Sequence, residues 1–239
     1  KNRMGNYGLN TRPFKHPLRP VALRSDLVAS CETRLHLVPK CDPRSETDYS
    51  IRDDRDQSDV FTVTGKKFGD RPGREFRDGT GLPLYELHEK TLALRQPWSV
   101  RLPGCDDDVL MTTQLRPNFR GFRSVSCEFK FQNAAAVENK HISEKTVKLH
   151  TLRRASRLYV FDVMDGDRKI LEIQESVGKN DKLALMPESR RGYHPILDIR
   201  VAPGVDLALV SLQYRLMRDV LTSQAALIAV ILSDWMYGG

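Results

Sequence analysis

Apolar and polar residues recur in short runs with β-branched and aromatic side chains, separated by turn residues, and several of these runs alternate with a period of two. Twelve such runs are legible, at 34–38, 60–63, 74–77, 84–87, 98–102, 109–115, 124–131, 146–152, 157–164, 169–175, 182–186 and 196–202. Val125, Cys127, Phe129 and Phe131 share one face of their run, while Ser126, Glu128 and Lys130 share the other. This is the pattern of a strand with one buried face. Val147 and Leu149 alternate in the same way with Lys148 and His150. RLYVFDVMDGDRKILEIQE, residues 157–175, predicts a hairpin about Asp165-Gly166, because glycine accepts the positive φ that a tight turn needs. Many short strands at hairpin spacing, with almost no amphipathic helix before residue 204, predict one antiparallel sheet system closed as a barrel or folded as a sandwich.

The pattern changes at Pro203-Gly204. From Val205 onward neither glycine nor proline occurs until Gly238, and Leu, Ala, Met, Arg and Gln dominate, which predicts a helix. Its later part, AALIAVIL at 225–232, is apolar on every side and therefore reads as buried on every side. It is much shorter than the roughly 18 apolar residues of a membrane span, so no transmembrane segment is expected. Residues 1–30 are rich in Pro and Arg, contain no uninterrupted apolar core of a secretory signal, and read as a loosely attached lead-in. Residues 31–239 read as a single domain. Within it CDPRSETDYSIRDDRDQS, 41–58, is polar enough to read as a long surface loop or a disordered insert.

Charge narrows the partners. Lys and Arg number 38 against 31 Asp and Glu, a net charge of +7, which favours anionic partners such as phosphoinositide membranes, nucleic acid or acidic proteins. The basic residues cluster as Lys66, Lys67, Arg71 and Arg74 (with Arg77), as Arg153 and Arg154 (with Arg157), as Lys179 and Lys182, and as Arg190 and Arg191. Most fall at strand ends or turns, where they could converge on a phosphate head group, and arginine offers it bidentate contacts. The four cysteines, Cys31, Cys41, Cys105 and Cys127, are widely spaced without a Cys-x-x-Cys pair. Reduced thiols in an intracellular, cytoplasmic protein, peripheral to membranes where it binds them, are the expectation.

Candidate catalytic chemistry does not assemble. Asp106, Asp107 and Asp108 are consecutive and cannot all face one point in an extended segment. His141 and His150 lack a matching third metal ligand, and Cys127 lies on the apolar face of its run, where a thiol packs as a small hydrophobe. GDRPG at 69–73 lacks the Gly-Lys-Ser/Thr ending of a phosphate-binding loop, and no Gly-x-Ser-x-Gly occurs. A non-enzymatic protein without a cofactor or metal is expected. Nucleic-acid association or transcriptional regulation through the basic surface is the rival reading, disfavoured because the one predicted helix is too apolar to enter a groove.

Four segments together carry a family resemblance: VFTVTGK (60–66), REFRDGTGLPLYELHEKTLALRQPWSV (74–100), YVFDVMDGDRKILEI (159–173), and VAPGVDLALV (201–210) followed by AALIAVILSDW. In this order, with the Asp78-Gly79-Thr80-Gly81 turn, Lys90, Leu92, Leu94 and Trp98, they resemble the LURP-one-related family of the tubby C-terminal-like superfamily. The resemblance covers roughly residues 20–239. It implies a mainly β fold, a twelve-stranded antiparallel barrel enclosing a central hydrophobic C-terminal helix, and a module that binds anionic phospholipid head groups or protein partners. One departure stands out, VSLQYRLMRDVLTSQ at 210–224, between the two halves of the family's closing motif. An unbroken helix from Val205 to Trp235 would be about 46 Å long, whereas a small barrel is about 25 Å tall. Residues 210–224 therefore read as an insertion. Val-Ser and Gln can be encoded by splice-donor and splice-acceptor sequences, so a retained short intron stands beside a genuine helical extension.

Overall fold

The computed structural model describes residues 13–40, 48–68, 71–89, 98–105, 108–117, 125–139, 141–153, 160–180, 194–210 and 212. Its strands are β1 (Thr33–Pro39), β2 (Tyr49–Asp53), β3 (Asp59–Phe68), β4 (Arg71–Asp78), β5 (Pro83–Glu89), β6 (Trp98–Arg101), β7 (Val109–Pro117), β8 (Val125–Gln132), β9 (Thr146–Arg153), β10 (Val160–Asp165), β11 (Arg168–Glu175) and β12 (Leu197–Val201). Each strand pairs with its chain neighbour, and β12 returns to β1 through Thr33↔Val201, Leu35↔Ile199 and Leu37↔Leu197, closing an antiparallel barrel. Closure leaves no unpaired sheet edge among the described strands.

The period-two alternation fixes which face turns inward. Leu35, Leu37, Phe61, Val63, Phe129, Phe131, Val147, Leu149, Phe161 and Ile173 are all buried in one core cluster, while Lys130 is exposed. A one-residue slip would send each of these side chains to the other face, at about 1.5–3 kcal/mol for each large apolar group lost from the core. The hairpin joining β10 to β11 forms as the sequence predicts, with Asp165 paired to Arg168 and Gly166 at φ 60°. The chain also turns tightly after Asp78, whose Oδ1 accepts the Thr80 and Leu82 N–H groups, and a Cβ on Gly79 would stand 2.3 Å from the Asp59 carbonyl oxygen.

Eleven of the predicted runs coincide with strands, and 182–186 lies outside the described residues. The remaining strand, β2, corrects the reading of 41–58 as one loop. Tyr49 and Ile51 point into the core, and β2 bridges β1 and β3. The apolar alternation of YSIRD is only two residues deep inside a charged stretch, too short to register as a strand without its partners.

Strand polarity distinguishes the two ends of the barrel. Pro39, Phe68, Glu89, Pro117, Arg153 and Glu175 finish their strands at one end, here called distal, and the strands β1, β3, β5, β7, β9 and β11 all start at the other, proximal end. The proximal end is where residues 13–31 and 202–210 pack. Val21 bridges Val205 and Val28 bridges Asp206, and Val21, Ala22, Leu23 and Ala29 are buried. The lead-in expected to be loosely attached is therefore tied to the barrel from Phe14, which bridges Lys169. Helices among the described residues are short, a 3-10 turn at Ser25–Leu27 and α1 at Ala134–Glu138. Helical backbone also begins at 208–210 and 212, with Leu209, Val210 and Leu212 in the core. The rest of the predicted C-terminal helix, including most of 210–224, lies outside the described residues. No helix among the described residues is long and apolar enough to cross a membrane.

Candidate anionic-ligand site

Strand ends determine where the predicted basic residues gather. On β3 the core positions Phe61 and Val63 continue in register to Gly65 and Lys67, opposite Phe76, Arg74 and Pro72 of β4. Lys67 and Arg74 thus extend the inward-facing rows to the distal end, where Arg71 begins β4 opposite Phe68. Arg153 ends β9 opposite Phe161 at the same end. Lys67 is exposed and has no hydrogen-bond or ion-pair partner among the described residues; Arg74 is half-buried and donates to the Gly73 carbonyl at 2.8 Å. Lys67, Arg71 and Arg74 therefore share the β3–β4 sector of this rim, whereas the Arg153 position stands six strands from β3 around the closed barrel, on its opposite side. Arg154, Lys182, Arg190 and Arg191 lie outside the described residues.

Lys66 does not join them. It stands on the outer face of β3, where its ammonium bonds Glu75 and also Glu86 at 3.1 Å. The Glu75 hydrogen bond holds that ammonium above the ordinary lysine range, and the cation also lies 5.2 Å from the Phe68 ring centroid, which stacks on His88. With Arg77 bonded to Glu75, the outer wall of β3–β5 is a compensated charge network. Its job in the fold is to satisfy Glu75 and Glu86, both buried carboxylates.

Lys179 departs from the rim in another direction. The turn after β11 folds back, with Asn180 donating to the Ser176 and Ile196 carbonyls and accepting from the Ile196 N–H. This places Lys179 beside a groove of about 560 Å³ on the outer wall, lined by Arg34 and His36 of β1, Asp54, Gln174 of β11, and Asp198 and Arg200 of β12. The buried His36 ring bridges two carboxylates, Nδ1 to Asp198 at 3.0 Å and Nε2 to Asp54. None of these groove residues except Lys179 stood out in the sequence. Their signal was the outward parity of Arg34 and His36 between Leu35 and Leu37, which acquires meaning only when β12 is laid beside β1.

The other chemical candidates fall elsewhere. Cys127 is buried among Phe129 and Leu149, and burial pushes its thiol up to about 12, so it packs as a neutral side chain. His141 is exposed and His150 half-buried on β9. Asp108 is exposed, while Asp106 and Asp107 lie outside the described residues. Among the described residues no group of three or more His, Cys, Asp or Glu side chains is arranged to hold a metal ion.

Comparison with known proteins bears on the whole barrel. The sequence profile of the LURP-one-related family matches residues 33–212. The X-ray structure of a protein from Arabidopsis thaliana superposes with a TM-score of 0.53 at 19% identity, covering 84% of this chain and 98% of that one, which shows a shared fold. Among curated proteins, no sequence match was found.

Proposed function

Because the chain belongs to the LURP-one-related family, we propose that it is a non-enzymatic, tubby-like binding module whose distal rim receives the phosphorylated head group of an anionic lipid, with phosphoinositides as the class. The observation that supports this reading is the grouping of the Lys67, Arg71 and Arg74 positions on β3 and β4 at the distal end. A head group of charge −2 or more matches several cations better than one, and each Lys or Arg near an anionic surface adds about 1 kcal/mol. In this reading the protein is cytoplasmic and peripheral, held at a membrane surface by the rim. The C-terminal segment continues from the helical turn at 208–210 as the apolar plug of the barrel, which the burial of Leu209, Val210 and Leu212 supports.

Co-sedimentation with vesicles tests the reading. Vesicles containing phosphatidylinositol bisphosphate are expected to bind the full chain, and phosphatidylcholine vesicles are not. Lys67→Glu combined with Arg71→Glu should weaken binding at least tenfold, and raising the salt should weaken it in the wild type by screening. Equal indifference to both vesicles overturns the lipid reading. Preferential retention on duplex DNA at the same ionic strength would move the rim to a nucleic-acid backbone.

A further inference from the structure

The groove on the outer wall has the makings of a second site, independent of the rim. Its charged side chains divide into those already engaged and those still open. Asp54 and Asp198 both bond the His36 ring, and Arg200 is held by Glu32 at 2.8 Å and Glu172 at 3.5 Å. Arg34 and Lys179 are exposed, and neither side chain has a hydrogen-bond or ion-pair partner among the described residues. Gln174 stands in register with Asp198 on the same wall, with its amide likewise uncommitted. The open groups are therefore donors, two of them cationic, around a concavity whose size lies in the range that holds a small molecule.

We propose that this groove binds a phosphomonoester group, with Arg34 as the planar fork to two phosphate oxygens, Lys179 as the point charge, and Gln174 as a neutral donor. Guanidinium suits the bidentate contact and ammonium the remaining oxygen. His36 bonds one oxygen of each of Asp54 and Asp198, the two carboxylates that share the groove with these donors. The groove lies on β1, β11 and β12, whereas Lys67 and Arg74 belong to β3 and β4, so the two sites can be broken separately.

The experiment is a titration of the isotopically labelled full chain with inorganic phosphate and then glycerol 3-phosphate, followed by amide chemical shifts. Saturable shifts at Arg34, His36, Gly178 and Lys179 are expected, with glycerol 3-phosphate binding at least as well as phosphate. Arg34→Glu and Lys179→Glu, both at exposed positions, should each weaken binding at least tenfold, and Lys67→Glu should leave it within twofold of wild type. No saturable shift in the groove, or unchanged affinity in both groove variants, overturns the proposal. Vesicle binding by the same variants separates the sources of the phosphate. Retained binding to phosphoinositide vesicles assigns a soluble phosphomonoester to the groove, and its loss assigns the lipid head group, while failure of the rim variants alone leaves the groove standing.

Discussion

The proximal end of the barrel and the β3–β4 sector of its distal end differ in what their polar side chains meet. At the proximal end polar side chains turn inward and are consumed by backbone groups. Asp206 accepts from Leu23 N–H and Arg24 N–H at 2.9 Å each and from Ala208 N–H at 2.7 Å, and Asn133 accepts from Ala22 N–H at 3.2 Å while donating to the Pro20 carbonyl at 2.8 Å. At the distal end Lys67 is exposed to solvent with no such partner among the described residues. Asp206 and Asn133 hold two chain segments together, as Asn180 does between β11 and β12 at the distal end, while Lys67 keeps its polarity available. The difference predicts that substitutions at Asp206 and Asn133 change stability and those at Lys67 change binding.

The largest effect is expected at Asp206. Asp206→Ala leaves three N–H groups without an acceptor, at about 1–3 kcal/mol each, so urea denaturation at pH 5 should show a loss of at least about 3 kcal/mol. The carboxylate also sets a pH dependence. Burial pushes its pKa up from 3.8 to about 6, against the three N–H groups that favour the charged form. The folded state therefore binds this proton more tightly than the unfolded chain. Its contribution is fully present below about pH 4 and is lost as pH rises to about 6, by roughly 3 kcal/mol from a shift of about two units. Carboxylates lowered by their partners, such as Asp26 beside Arg24, have the opposite sign. The difference between wild type and Asp206→Asn across pH 4–7 isolates the Asp206 slope, and a flat difference would refute it.

Asn133 and Phe14 probe the same end with decreasing force. Asn133→Ala removes both an acceptor for Ala22 and a donor to Pro20, and should destabilise by about 1–3 kcal/mol in the same denaturation assay. Phe14 lies with its ring centroid 4.9 Å from the Lys169 ammonium and 4.7 Å from the Arg200 guanidinium, covering the buried Lys169 with its partner Glu172 at 3.2 Å. Phe14→Ala should cost about 0.5–2 kcal/mol and speed proteolysis of the lead-in, measured by the rate of cleavage before Val21.

These contacts also mark what sequence alone could and could not disclose. Eleven of the twelve strands, the inward set around Phe129 and Leu149, and the β10–β11 hairpin follow from patterns that each segment carries by itself. The proximal closure does not, because Asp206 and Leu23 are separated by 183 residues and their bond depends on where the closed barrel brings the two ends. The lead-in looked loose for that reason, since its Pro and Arg content conceals Val21, Ala22 and Leu23, which are core residues only in the presence of Val205. For the candidate site the residue types were legible and their grouping was not. Parity sends Lys66 outward to Glu75 and Glu86 while its neighbour Lys67 keeps to the rim, a separation that a cluster of adjacent basic residues cannot show.

Lys67 therefore gives the sharpest test of the contrast, because its stability effect should be the smallest. It is exposed, has no partner among the described residues, and sits beyond the last core position of β3. Reversing its charge forfeits no packing and no ion pair, so Lys67→Glu should shift the unfolding free energy by no more than about 0.5 kcal/mol. Lys66→Glu, one residue away, would face Glu75 and Glu86 with a third carboxylate, and like charges beside buried groups destabilise. Denaturation of the two variants side by side is expected to separate them by more than about 2 kcal/mol. Equal stability would mean that parity at this end of β3 is lost, and the assignment of Lys67 to the rim would fall with it.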